Sequence, residues 1–215
     1  MEKTRIQTLL LDNDGVLVDT EKCYFEANRR VLAEYDITMN LEDYQEHFLR
    51  SSRGIHAWFP EMSASFMSDF REKRNKHHME LLAKEPITIP GVDKVLADFS
   101  SRFRIGVVTS SEKKPFLRIH ERTGFLPFFD FVVCREDVRF SKPHPEPYLK
   151  ALTMAGCPAE FCLVIEDARR GVMAAQAAGL CCWVVPGPMG CGGDLSGAER
   201  VLHSLEEARS LLMDV

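Results

Sequence analysis

Five short apolar segments, separated by longer stretches, constrain the fold of this chain more than any other feature. They are IQTLLLD (6–12), FRIGVVTS (103–110), FDFVVC (129–134), FCLVIED (161–167) and LCCWVVP (180–186). Each segment is almost continuously apolar, which is typical of a strand buried on both faces of a parallel sheet. Helical patterns that end at glycine occupy 113–125, 145–156 and 168–179. This alternation predicts an α/β fold built on a doubly wound parallel sheet.

The stretch between the first and second predicted strands has a different character. From about Thr20 to Lys84 it contains no strand pattern, and its length of about 65 residues is too great for a single crossover. Amphipathic helical patterns follow one another at 21–35, 41–52 and 63–84. We therefore expect an inserted α-helical cap domain (the insert) at residues 18–86. The core would then consist of residues 1–17 and 87–215.

The composition and charge limit the partners and the compartment of the protein. The net charge of -5 offers no basic surface for nucleic acid, so no such partner is expected. No apolar run approaches the roughly 18 residues of a membrane span, and the N-terminus lacks the apolar segment of a signal peptide. The seven cysteines show no CxxC spacing, which is typical of free thiols in a reducing compartment. We expect a cytoplasmic protein, monomeric or weakly dimeric, with no membrane contact.

Polar side chains follow four of the predicted strands. They are Asp12 and Asp14 after the first strand, Thr109 and Ser110 after the second, Lys142 after the third, and Glu166 and Asp167 after the fourth. Because the carboxyl ends of parallel strands meet at one edge of a sheet, we expect these side chains to lie close together. An insert that leaves the chain after the first strand would cover that edge.

Each of these groups also has a structural explanation when taken alone. Asp12 and Asp14 are common turn residues, Thr109 and Glu166 could help to cap helices, and Lys142 could be a surface cation. Taken together, clustered carboxylates repel one another unless a cation offsets their charge, and one lysine is not enough. Hard carboxylate oxygens favour Mg²⁺. The set therefore predicts a magnesium ion together with an anionic substrate.

The four segments resemble the four motifs of the haloacid dehalogenase-like phosphohydrolase superfamily. DNDGVLVDT is similar to the first motif, DxDGxxxDS/T, and VVTSS resembles the second. SKPHPEPY and VIEDARRG resemble the third and the fourth, in the family's order and over nearly the whole chain. The pattern is most similar to the branch that contains beta-phosphoglucomutase and sugar-phosphate phosphatases, which carry a helical cap after the first motif. The resemblance implies a Rossmann-like core and a phosphatase activity.

The resemblance also implies roles for the residues of the first motif. Asp12 would be the nucleophile that forms an aspartyl-phosphate, and Asp14 would be the general acid and then the general base. Because dehalogenase members lack an aspartate at the second position, Asp14 favours phosphoryl transfer. Backbone N–H groups of the turn at Gly15 would hold phosphate oxygens.

The remaining motifs supply the implied metal and phosphate ligands. Mg²⁺ would be held by Asp12, the backbone carbonyl of Asp14 and Asp167, with Glu166 acting directly or indirectly. Thr109 and Lys142 would complete the catalytic set, and Ser110 would contact the substrate. In the insert, Arg53 and Arg74 resemble cationic positions that meet the substrate, although each could also be a solvated charge.

The implied activity is Mg²⁺-dependent hydrolysis of a small phosphomonoester, such as a sugar phosphate. A phosphosugar mutase on the same scaffold is the alternative, and a non-catalytic binding protein is a further one. Tyr24 stands where the mutase has a histidine that takes part in acid–base chemistry, and tyrosine is a poor substitute near neutral pH. The sequence therefore favours hydrolysis.

Overall fold

A computed structural model describes residues 6–51, 53–187, 189 and 193–213 of the chain. Its centre is a parallel six-stranded sheet in the order β3-β2-β1-β4-β5-β6. The strands are β1 (Thr8–Leu11), β2 (Arg104–Val108), β3 (Phe131–Val133), β4 (Cys162–Glu166), β5 (Cys181–Val184) and β6 (Arg200–Val201). The predicted α/β fold with a doubly wound, Rossmann-like sheet is confirmed. β6 was not predicted, because it has only two residues and both are exposed.

The α-helices fall into two groups along the chain. Those before β2 are α1 (Glu21–Ala33), α2 (Leu41–Tyr44), α3 (Ala64–Lys84) and α4 (Val92–Arg102). Those after β2 are α5 (Lys113–Thr123), α6 (Glu146–Ala155), α7 (Arg169–Ala177) and α8 (Leu205–Met213). Within the described residues, no helix has the length and apolar character needed to cross a bilayer. Six of the cysteines are free thiols, and Cys191 lies outside the described residues.

Helices cover both faces of the sheet because alternate strand residues point to opposite sides. Leu9 and Leu11 of β1 pack into a buried cluster that includes Phe99 of α4 and Ala208 of α8. Leu10, between them, belongs to a second buried cluster, which contains side chains of α6 and α7. The continuous apolar runs of the sequence therefore correspond to a sheet that is buried on both sides.

The insert has an apolar cluster of its own, and α1 packs along α3. The fully buried members of this cluster are Val31, Leu32, Met39, Tyr44 and Phe70. The amphipathic helix predicted over 41–52 is an α-helix only at its start, since α2 continues as a π-helical segment, Gln45–Arg50; Ser52 lies outside the described residues. Phe48, inside this π-helical segment, stacks on the ring of Tyr44, and the two ring centroids are 4.8 Å apart.

The two connections between the insert and the core run side by side. Val18 forms a bridge with Thr88, and the N–H of Asp19 donates to the carbonyl of Ile87 at 2.8 Å. A small buried cluster around Val18 and Ile87 also reaches into α5. We propose that residues 18–86 form a cap domain, and this paired crossing supports boundaries at these positions.

Candidate active site

The carboxyl ends of the central strands bring together the polar residues that the sequence singles out. Asp12 follows β1 directly, and its N–H donates to the carbonyl of Ile165 in β4 at 2.9 Å. Thr109 follows β2 and is tied in the same way to Val133 of β3, also at 2.9 Å. Glu166 is the last residue of β4. The adjacency of these strands therefore determines that their terminal side chains share one edge.

Lys142 is the buried centre of this edge. Its Nζ lies 2.5 Å from Asp12 Oδ1, 2.6 Å from Glu166 Oε1 and 2.7 Å from the carbonyl of Val108. These three acceptors match the three N–H donors of an ammonium group. Burial lowers the pKa of Lys142, but Asp12 and Glu166 outweigh it and raise that pKa to about 12. Lys142 is therefore a permanent positive charge and not a surface lysine.

Asp12 and Asp167 are in an environment that disfavours their charged forms. Burial raises the pKa of Asp12 to about 7; Lys142 opposes this rise, while Glu166 and Asp14 add to it. Burial, together with repulsion from Asp12 and Glu166, also raises the pKa of Asp167 well above its usual range. One lysine thus leaves the negative charge of the edge only partly offset, and a further cation would favour ionisation.

Asp12, Glu166 and Asp167 (the acid group) could hold such a cation. One carboxylate oxygen from each lies within 4.8 Å of the others, and this is the one group of this kind that the described part of the chain contains. Carboxylate oxygens are hard ligands of the type that Mg²⁺ prefers. The donor set therefore fits a magnesium ion.

Glycines make room for the acid group. Gly15 has a φ of +89°, and a Cβ at this position would overlap the carboxylate of Asp167. A Cβ on Gly171 of α7 would likewise overlap the carboxylate of Glu166. Side chains larger than hydrogen at these two positions would displace the acids from the strand edge. The contact of Gly15 with substrate stays a prediction.

Asp14 lies beside the acid group without joining it. Its carboxylate accepts hydrogen bonds from the hydroxyls of Thr20, Ser111 at 3.0 Å and Thr109 at 3.4 Å. Its side chain is thus held apart from the three carboxylates of the acid group, and a metal contact through its backbone carbonyl stays a prediction. The hydroxyl of Ser110 is buried and has no partner among the described residues, so it is available to a ligand.

The two arginines predicted in the insert occupy different environments. Arg74 donates to the hydroxyl of Tyr24 and lies 4.7 Å above its ring. His78 meets the same ring edge-on, and burial lowers the pKa of His78 to about 4, against the opposing effect of Asp14. This part of the insert therefore faces Asp14. Arg53 contacts other residues of the insert instead, and its side chain is 57% exposed.

Two residues near the acid group were missed by the sequence reasoning. Tyr148 of α6 is buried, and its hydroxyl donates to Glu166 Oε1 at 2.5 Å. Nothing in the segment SKPHPEPY indicates that the hydroxyl of Tyr148 contacts a residue of β4. The second missed residue is Arg170, which lies in the quoted segment VIEDARRG beside the similar Arg169.

Arg170 is an exposed cation in the second position of α7, with no hydrogen bond or ion pair to any described residue. The surrounding protein lowers the pKa of Arg170, but the carboxylates of Asp12, Glu21 and Asp167 outweigh this effect and raise it. Arg170 is therefore a solvent-exposed positive charge that interacts electrostatically with carboxylates of the site. Arg169, in contrast, lies against Gly193.

Comparison with known proteins gives a consistent result. Residues 9–185 match the model of the family described as haloacid dehalogenase-like hydrolase. The chain is 29% identical to the pyrophosphatase PpaX of Bacillus pumilus, over 83% of this chain and 82% of that protein. It is 29% identical to a phosphorylated carbohydrates phosphatase of Thermotoga maritima, over 96% and 90% of the two chains. The crystal structure of a putative beta-phosphoglucomutase from Thermotoga maritima is similar with a TM-score of 0.77 and 28% identity, over 98% and 100% of the chains.

The raised pKa of Asp12 predicts how stability depends on pH in the absence of metal. Because the folded chain holds this proton up to about pH 7 and the unfolded carboxyl loses it near 3.8, unfolding releases the proton between these values. The contribution of Asp12 to stability therefore falls as the pH rises through this window. We expect the difference in Tm between Asp12→Asn and the wild type, measured by thermal unfolding without metal, to shift in favour of the variant as the pH rises from about 5 to about 7.5.

Mg²⁺ supplies the control for this measurement. At the higher pH it should raise the Tm of the wild type more than that of Asp12→Asn, because the variant has lost one charged ligand. A wild type that gains stability relative to Asp12→Asn as the pH rises without metal would contradict this electrostatic account.

Proposed function

The chain belongs to the haloacid dehalogenase-like hydrolase family and is a phosphatase, and we propose that it hydrolyses a small phosphomonoester with Mg²⁺ through a phosphorylated Asp12. The main support for this proposal is the arrangement of Lys142 and the acid group. Lys142 holds Asp12 and Glu166 at 2.5 and 2.6 Å, and Asp167 completes an acid group of the size and chemistry that suit Mg²⁺. A nucleophile, a fixed positive charge and a metal-binding set thus occupy one strand edge.

Asp12 acts as the nucleophile. Its Oδ1 accepts a hydrogen bond from Lys142, so the other oxygen attacks phosphorus while the bond from phosphorus to the alcohol oxygen breaks. Water then attacks the aspartyl-phosphate, releases inorganic phosphate and restores the carboxylate. Covalent catalysis divides one difficult displacement into two easier ones. Mg²⁺ bound to the acid group would offset the negative charge that accumulates between the carboxylate and the phosphate.

Asp14 transfers the protons. Two residues after the nucleophile, it protonates the departing alcohol oxygen and later takes a proton from the attacking water. The hydroxyls of Thr20 and Ser111 hold its carboxylate beside Asp12. Lys142 keeps its positive charge throughout, because its pKa is about 12. All three donors of Lys142 are used by protein acceptors, so its part is to hold Asp12 and Glu166 and to stabilise negative charge nearby.

The substrate is a small phosphorylated metabolite, such as a sugar phosphate. The relative from Thermotoga maritima that is named a phosphorylated carbohydrates phosphatase supports this class of substrate. Arg74 of the insert and Arg170 of the core are cations near the site, while the unpaired hydroxyl of Ser110 adds a neutral polar group. Together they suit an anionic, hydroxylated ligand.

Position 24 bears on the mutase alternative. A histidine at this position could carry protons near neutral pH, whereas the hydroxyl of Tyr24 accepts a hydrogen bond from Arg74. Hydrolysis is therefore the better proposal. A hexose phosphate incubated with a catalytic amount of its bisphosphate distinguishes the two activities: hydrolysis releases inorganic phosphate, and a mutase interconverts the two hexose phosphates without release.

The assignment of Asp12 is tested with p-nitrophenyl phosphate and Mg²⁺. We expect Asp12→Asn to lower kcat by at least about 1,000-fold, because the covalent route is lost. Asp19→Asn is the matched control, since Asp19 lies in the same segment but pairs with Lys22 and is outside the acid group. It should keep most of the activity. Wild-type turnover in Asp12→Asn would refute the proposed nucleophile.

Arg170 offers a second test with a close control. We expect Arg170→Gln to raise KM for phosphorylated metabolites about tenfold, because the variant loses one charge-assisted hydrogen bond to the substrate. Arg169→Gln removes the same charge from the neighbouring position, where the side chain lies against Gly193, and should leave KM unchanged. Steady-state assays of phosphate release measure both variants, and equal effects would contradict a specific contact by Arg170.

A further inference from the structure

A buried histidine of α5 lies next to the loop that carries Asp12 and Asp14. His120 and Asn13 are both 0% exposed, and His120 Nε2 is 2.7 Å from Asn13 Oδ1. On the other side of the ring, Nδ1 is 3.1 Å from the hydroxyl of Thr123. The aromatic rings around the imidazole are those of Phe116, Phe125 and Phe129, with centroids 4.4, 5.9 and 5.1 Å away.

The hydrogen bonds fix the protonation state of this ring. Asn13 Oδ1 can only accept, so Nε2 of His120 carries the proton, and Nδ1 accepts from the hydroxyl of Thr123. Burial lowers the pKa of His120 to about 4, against the opposing effect of Asp14. The imidazole is therefore a neutral donor held in one orientation, and it does not carry protons for the reaction.

Asn13 connects this donor to the turn that follows the nucleophile. Its backbone carbonyl accepts the N–H groups of Leu17 at 2.9 Å and Val18 at 3.1 Å. The N–H of Gly15 donates back to the carbonyl of Val18 at 2.8 Å. The backbone of Asn13 thus closes the turn, while its side chain anchors the same residue to α5.

We propose that His120 is a positioning residue. Its hydrogen bond to Asn13 fixes the orientation of the loop, and with it the directions in which the side chains of Asp12 and Asp14 point. Asn13 is the residue between the two aspartates, so a rotation of its backbone would move both carboxylates together. The proposal rests on the proposed function, in which Asp12 must meet phosphorus in line. A misplacement of about 1 Å in such a geometry costs about 100-fold in rate.

A double substitution distinguishes a positioning role from a purely structural one. If the role is structural, it restores both thermal stability and activity; if the role is positioning, it restores thermal stability alone. His120→Leu leaves the buried Oδ1 of Asn13 without a partner, in addition to its Nδ2, which has none among the described residues. Such an unpaired group destabilises the fold, whereas replacing both partners with apolar groups of similar shape is nearly neutral. Asn13→Leu combined with His120→Leu should therefore recover thermal stability. The double variant still lacks the hydrogen bond that orients the loop, so it should not recover the orientation of Asp12 and Asp14.

The experiment compares His120→Leu, His120→Gln and the double variant in the full-length protein. We expect His120→Leu to lower kcat for p-nitrophenyl phosphate about 10- to 100-fold with KM changed less than about threefold. His120→Gln should keep kcat within about fivefold, because its amide N–H can replace the Nε2 donor. The double variant should regain the Tm of the wild type while its kcat stays low.

Amide hydrogen exchange provides a measurement that does not depend on activity. The N–H groups of Leu17 and Val18 report on the turn directly, since both donate to Asn13. Their exchange, followed by NMR, should accelerate at least about tenfold in His120→Leu and in the double variant, and should stay close to wild type in His120→Gln.

A wild type without Mg²⁺-dependent turnover would refute the proposed function, and the exchange rates would still test the inference.

Two outcomes would overturn the positioning role. One is a double variant whose kcat recovers together with its Tm, because the histidine would then act through stability alone. The other is unchanged exchange of Leu17 and Val18 in His120→Leu, because the hydrogen bond would then not hold the turn.

Discussion

The ion pairs of Lys142 with Asp12 and Glu166 are the interaction on which the site depends. They join the end of β1, the end of β4 and the segment that follows β3, with both side-chain distances at or below 2.6 Å. Removing one partner of a buried pair leaves an uncompensated charge, which is strongly destabilising. The three segments therefore hold one another in place. Although Lys142 and Arg170 oppose the effect, the pKa values of Asp12 and Asp167 remain raised, and this excess of buried carboxyl groups is the physical reason to propose Mg²⁺.

The parallel sheet makes this arrangement possible because it places the ends of neighbouring strands side by side. β1 lies between β2 and β4, so residues that follow these strands are neighbours although they are far apart in the sequence. Glycines at 15 and 171 allow the acids to approach the backbone closely. The insert leaves the chain after β1 and returns beside Val18, and within it Arg74 donates a hydrogen bond to Tyr24. We propose that the metal-binding groups come from the core and that the insert contributes groups that contact the substrate.

The sequence predicts those features that depend on strand order, and fails for those that depend on side-chain geometry. Asp12, Glu166 and Asp167 could be expected to meet, because each follows a recognisable strand. Nothing local indicates that Tyr148 contacts Glu166, or that His120 contacts Asn13, since the second pair is separated by 107 residues. The π-helical segment Gln45–Arg50 was predicted as α-helix, because an amphipathic pattern does not reveal where a helical turn widens. The resemblance of the motifs suggested roles for the residues that the structure brings together, and these roles remain proposals.

The central claim is that Asp12, held by Lys142, accepts the phosphoryl group. The most direct measurement is rapid acid quenching of the wild-type protein during turnover of a ³²P-labelled sugar phosphate with Mg²⁺, followed by peptide mapping. If Asp12 is the nucleophile, label appears on the peptide that contains Asp12 and is lost when Mg²⁺ is removed. Turnover that proceeds at a normal rate with no label on this peptide at any quench time, or with label on a different residue, would contradict it.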